Sequence, residues 1–104
     1  MDSFKKFFQG QLTTAAAVLY TVPPTKSAII KHMHIANPTG ADRSFTLWRD
    51  GSADSNLLYP GIPIKGGGWA EWDGSMALGA GESIFGKADV ALALTLTIDG
   101  DEVT

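Results

Sequence analysis

The chain has 104 residues, 44 % of them apolar and 18 % charged, with a net charge of −3 and a pI near 5.1. That length suits one domain with one core, and an acidic chain without a basic block or stripe excludes nucleic acid as a partner, because nothing neutralises phosphates. The lack of cysteine excludes a disulfide framework, a thiolate nucleophile and a zinc knuckle. No apolar run approaches the ~20 residues that a membrane-crossing helix needs.

In chain order, residues 1–10 (MDSFKKFFQG) form the first segment. They lack the apolar stretch and small-residue cleavage site of a secretory signal, so synthesis in the cytoplasm is expected. Phe4, Phe7 and Phe8 fall at i, i+3 and i+4, opposite Lys5 and Lys6, which predicts one amphipathic turn in a short N-terminal arm, disordered or docked. A sandwich domain is expected over residues 11–104. Its first strand lies around Val18 to Val22, and Pro23-Pro24 separates it from a second around Ile29 to Ala36. Asn37-Pro38-Thr39-Gly40 then suits a tight turn that ends at positive φ. In RSFTLWRD, Phe45 and Leu47 alternate with Ser44, Thr46 and Trp48. Shorter candidates follow at Trp69–Trp72 and Glu82–Phe85. Near the end Leu92, Leu94, Leu96 and Ile98 point one way, and Ala93, Thr95, Thr97 and Asp99 the other. The twelve glycines punctuate these runs. About seven or eight short strands roughly ten residues apart predict an all-β, antiparallel, jelly-roll-like sandwich.

The candidate sites are few. His32 and His34, two apart, share one face of a strand and could hold a metal ion if a neighbouring strand supplied a third ligand, such as Glu71 or Asp73. Nothing in the sequence places those carboxylates close, and the pair reads as the polar outer face of a strand. Asp50-Gly51-Ser52-Ala53-Asp54-Ser55-Asn56 opens like a calcium loop, but Ser55 stands where glycine is required and Gly61 where the bidentate glutamate belongs. Gly66-Gly67-Gly68 follows Lys65 instead of preceding a Gly-Lys-Ser/Thr, so it is no phosphate loop. Gly79-Ala80-Gly81 lacks the third glycine of a dinucleotide fingerprint. No nucleophile elbow is present and no serine is marked as a nucleophile. Catalytic residues, metal sites and cofactors are therefore expected to be absent. The tryptophans carry more weight. Trp48 lies opposite Phe45 and Leu47, which predicts partial exposure, and exposed aromatics are enriched at protein interfaces. Phe4, Phe7, Phe8, Trp48, Trp69 and Trp72 are the candidate interface residues.

One resemblance runs along nearly the whole chain, residues 11 to 103. LYTVP (Leu19–Pro23), the Lys26-Ser27-Ala28-Ile29-Ile30 strand, His34-Ile35-Ala36-Asn37, Phe45-Thr46-Leu47, Leu57-Leu58-Tyr59, Gly79-Ala80-Gly81-Glu82-Ser83-Ile84 and Leu94–Gly100 together resemble small β-sandwich virion proteins of tailed bacteriophages. Pro24-Thr25 departs from the glycine that usually precedes the lysine there, which stiffens the turn. These are strand-and-turn signatures, so the resemblance speaks to architecture before role. It implies a non-enzymatic part present in many virion copies: a capsid decoration or cement protein, partnered by the major capsid protein and by copies of itself, with a trimer favoured. Location on the capsid surface follows from that role. A neck, tail or fibre component is the nearest alternative. A carbohydrate-binding module using Trp48, Trp69 and Trp72 as stacking platforms is a second, and a metal-dependent enzyme built on His32 and His34 ranks last.

Overall fold

The computed structural model describes residues 2–103, with side chains from Lys5 onward. Eight strands follow one another: β1 (Asp2–Gln11), β2 (Ala17–Thr21), β3 (Ser27–Ala36), β4 (Arg43–Arg49), β5 (Leu57–Ile64), β6 (Trp69–Leu78), β7 (Ser83–Ala88) and β8 (Thr95–Val103). One 3-10 turn, Asp54–Asn56, precedes β5. The strands form two antiparallel four-stranded sheets, ordered β1-β8-β3-β6 and β2-β7-β4-β5. Strand pairs β1–β8, β2–β7, β3–β6 and β4–β5 are those of one long hairpin, bent in the middle at residues 50–56 and rolled up. This is the jelly-roll arrangement that the strand spacing predicts.

Period-two alternation builds the core between the sheets. Ile30, Leu47, Leu94, Leu96 and Ile98 are fully buried, and Leu12, Val22, Leu78 and Ile84 nearly so. Alternation fails at Leu92, expected inside: it takes a left-handed conformation (φ 59°) in the β7–β8 loop and is 63 % exposed. That turn lets Ala93 and Leu94 both enter the interior before β8 begins.

The N-terminal segment also differs from its expected amphipathic turn. Residues Asp2–Gln11 pair along β8 as an edge strand of the sandwich, where backbone hydrogen bonds give more than two helical turns in water can. A register shift between Lys6 and Phe8 makes Phe7 an extra residue on this strand. Phe7 turns inward and stacks on Tyr20 of the other sheet, with ring centroids 4.3 Å apart, closing that side of the sandwich. A second register shift, between Ile30 and His32, lies across β8 on β3. Ile30 and Met33 both point inward, so Lys31 and His32 are both left outside.

The β3–β4 turn is held by its first residue. Asn37 is 1 % exposed; its amide donates to the carbonyls of Ala41 (2.8 Å) and Ile64 (2.9 Å), while its oxygen accepts from Thr39 N–H (3.0 Å) and Thr39 Oγ1 (2.6 Å). Gly40 does not adopt the positive φ expected of it; Gly67 of the adjacent β5–β6 turn does (φ 74°). The Asn37 side chain closes the turn without a left-handed residue, and Gly66 is needed because its missing Cβ leaves room for the Gly40 backbone. Asn37→Ala should therefore cost about 2–3 kcal/mol, since each buried partner left unpaired costs roughly 1–3 kcal/mol. Chemical denaturation would read this as a lower midpoint at unchanged slope.

Candidate functional site

The outer face of β3 and β6 gathers the chemically distinctive side chains. Beyond the bulge, His32 and His34 alternate outward, and antiparallel pairing sets His32 opposite Asp73, His34 opposite Glu71 and Ala36 opposite Trp69. On its other flank β3 sets His32 opposite Asp99 of β8. His32 Nε2 thus lies 3.1 Å from Glu71 Oε2 and 3.9 Å from Asp73 Oδ1, while its Nδ1 lies 3.5 Å from Asp99 Oδ2. His34 Nδ1 is 3.5 Å from the second Glu71 oxygen, and its ring stacks on Trp69 at 5.8 Å between centroids. The hydrogen bond to Glu71 raises the His32 pKa above its ordinary value, against a smaller opposing effect of burial, with Asp99 and Asp73 adding to the rise. The same bond holds the Glu71 carboxyl below the usual range. Sequence alone could not supply the third ligand for the histidine pair; strand pairing brings in both residues that were candidates for it.

Beside this face, the two edge strands β5 and β6 leave an apolar cleft of about 250 Å³. Met33, Phe45, Leu47, Tyr59, Ile62 and Trp72 line it, and Glu71 stands at its lip. Burial raises the Tyr59 pKa. Pro60 and Pro63 interrupt the β5 edge, whereas β6 runs ten residues without a proline or lysine. Unblocked edges of that kind are open to further pairing.

The other candidate interface residues are dispersed. Trp69 is 64 % exposed on the outer face, and Trp72, three residues on, packs inward into the cleft. Trp48 is only 7 % exposed, contrary to the expected partial exposure. It still faces away from Phe45 and Leu47, in unbroken register with β7, but it is covered on that outer side, where the Lys87 ammonium lies 5.9 Å over the indole. The three tryptophans therefore form no common stacking platform. Phe7 belongs to the core and Phe8 packs against it. For Phe4 only the backbone lies within the described structure, opposite Asp101; its side chain does not. In the loop that opens like a calcium site, the Asn56 amide donates to the carbonyls of Arg49 (3.0 Å) and Asp50 (3.3 Å), so it closes the loop on itself.

One cluster escaped sequence reading. Glu102 is 4 % exposed, yet it accepts hydrogen bonds from Tyr20 Oη (2.7 Å), Lys5 Nζ (3.2 Å) and Lys26 Nζ (3.4 Å). Extending the alternation of Leu94, Leu96 and Ile98 by four residues would have placed it inside.

Neither a protein-family model nor a curated protein matches the chain. Among solved structures, the fold is similar to that of a chain in the "Acidic stable capsid structure of Helicobacter pylori bacteriophage KHP30", with a TM-score of 0.62 over 100 % of this chain and 88 % of that one. The two sequences are 8 % identical, so the likeness establishes the jelly-roll architecture and nothing finer.

Proposed function

We propose that this chain is a non-enzymatic structural protein of a bacteriophage virion, most specifically a capsid decoration (cement) protein that binds the major capsid shell and associates with copies of itself. The observation that carries the reading is the eight-strand jelly roll, similar over its whole length to a chain of a phage capsid structure. The strand-and-turn signatures from Leu19 to Gly100 support it independently. The contact surface is the β6 edge, where exposed Trp69 stands beside the apolar cleft that holds Trp72. Large aromatics at the centre of a contact supply most of its affinity. A neck, tail or fibre component would use the same fold and differ in copy number.

The test is binding of the purified protein to capsids that lack it. A stoichiometry near that of the major capsid protein is expected, and a handful of copies per particle moves the assignment to the neck or tail. Trp69→Ala should weaken binding by roughly 30-fold, the equivalent of about 2 kcal/mol for a hot-spot tryptophan, with its thermal unfolding unchanged. Unchanged capsid affinity in Trp69→Ala removes the β6 edge as the contact.

A further inference from the structure

The cluster around His32 has the donors, the charge and the outer support of a metal site. From the geometry we infer that His32, Glu71 and Asp73 bind one first-row transition-metal dication, of the Zn2+ type, on the outer face of β3 and β6. Each residue offers one ligand atom, and the three lie within 4.8 Å of one another. The imidazole Nε2 faces both carboxylates, at 3.1 Å and 3.9 Å, so one ion can sit among the three atoms after small side-chain rotations. Asp73 is 77 % exposed and free to make them.

Two further observations strengthen the assignment. The opposite ring nitrogen, Nδ1, faces Asp99 at 3.5 Å. A carboxylate on the far side of the ring gives the imidazole proton a partner at Nδ1 once an ion takes the place of the proton that Nε2 shares with Glu71, the usual support for a metal-bound histidine. Glu71 is held in turn by His34, whose ring is oriented by Trp69. The second observation is charge. Glu71, Asp73 and Asp99 surround one imidazole, and among the described residues no lysine or arginine pairs with any of the three. Nearby Lys31 donates to Ser75 Oγ (3.2 Å) and Lys6 to Gln9 Oε1 (2.7 Å). Apart from the histidines, the cluster's negative charge is left for a cation to balance.

The donor set selects the class of ion. One nitrogen and two oxygens suit zinc and its neighbours, whereas calcium and magnesium take oxygen ligands alone. The solvent side of the cluster is open, leaving the remaining positions to water or to a group from another molecule. This inference rests on the geometry and charge of the cluster and stands whether or not the chain proves to be a virion protein.

Calorimetric titration of the metal-free protein with Zn2+ at pH 7.5 tests it. Saturable binding of one ion per chain is expected, as is quenching of Trp69 fluorescence by Ni2+ or Co2+ at the same site. His32→Ala should abolish both signals, and so should the paired change Glu71→Gln with Asp73→Asn; His32 and Glu71 are partly exposed and Asp73 largely so, and circular dichroism verifies that each variant is folded. Asp99→Asn should weaken binding by about 10–100-fold without abolishing it. Absence of saturable heat with wild-type protein overturns the assignment. So does a Zn2+ affinity that His32→Ala and the carboxylate double variant both retain.

Discussion

Gly100→Ala is expected to lower the melting temperature by roughly 12–24 °C. Gly100 lies in β8, opposite Lys5 of β1 on one side and Ile30 of β3 on the other. Both neighbouring strands bulge at this level: β1 inserts Phe7 and β3 inserts Lys31. The double bulge crowds β8, and a Cβ on residue 100 would overlap the Ile29 carbonyl oxygen and stand 2.8 Å from the Phe7 ring. A backbone oxygen cannot swing aside as a side chain can. Overpacking usually costs 1–3 kcal/mol and sometimes more, so about 3 kcal/mol is the least expected here. For a domain of this size each kcal/mol shifts the midpoint by about 4–8 °C. Gly40→Ala, whose Cβ would meet nothing within 4 Å, is the control and should stay within about 0.5 kcal/mol of wild type. A Gly100→Ala midpoint within 4 °C of wild type would show that the bulged strands can separate freely. The same bulge on β3 turns His32 outward beside Asp99, so loss of this packing should also disturb the outer-face cluster.

This dependence marks where sequence reading succeeds and where it stops. Period-two runs such as Phe45-Thr46-Leu47 and Leu94–Ile98 report one buried and one solvated face directly, so the class of fold and most of the core were legible. Bulges are not. They insert single residues without a distinctive composition, and each one reverses the alternation beyond it. The N-terminal segment was misread for that reason: Phe4, Phe7 and Phe8 mimic a helical stripe because one extra residue sits between Lys6 and Phe8. Trp48 keeps the face that alternation gives it, opposite Phe45 and Leu47 and in unbroken register with β7, but it is covered there, with Lys87 over its ring, which no local pattern reports. The cluster on the outer face was half legible. The spacing of His32 and His34 shows a shared face, but Glu71 and Asp73 reach His32 only through pairing between strands some forty residues apart in sequence. The sheet order that makes β6 the partner of β3 is a property of the rolled hairpin and of no local motif.

Replacing the buried carboxylate by an amide, Glu102→Gln, should destabilise the protein by about 2 kcal/mol at pH 7, and the deficit should vanish in acid. Glu102 joins both sheets: it receives Tyr20 from β2, Lys5 from β1 and Lys26 from the turn before β3. The turn itself is closed by Lys26 N–H donating to the Pro23 carbonyl (3.1 Å), with Pro24 at its second position. Breaking a fully buried charge pair costs roughly 3–5 kcal/mol; the lysine side chains here are 45 % and 34 % exposed, so solvent screens part of that. The hydrogen bond from Tyr20, followed by those from Lys5 and Lys26, holds the Glu102 pKa below its ordinary value near 4.5. Burial, and after it the neighbouring Glu102 carboxylate, push the Tyr20 phenol far above its usual range, which keeps it a donor throughout. A carboxyl with a lowered folded-state pKa contributes its full stabilisation above about pH 4.5 and loses it as pH falls through the folded value. Urea midpoints of wild type and Glu102→Gln should therefore differ at pH 7 and at pH 5, and converge toward pH 3. Equal gaps at pH 3 and pH 7 would assign the effect to shape instead of charge. Tyr20→Phe separates the strongest donor from the charge: it keeps the stack on Phe7, removes one hydrogen bond to an ionised group, and should cost about 1.5–3 kcal/mol at pH 7. If Tyr20→Phe proves neutral while Glu102→Gln does not, the lysines alone hold the carboxylate, and the clasp between the sheets is made by charge.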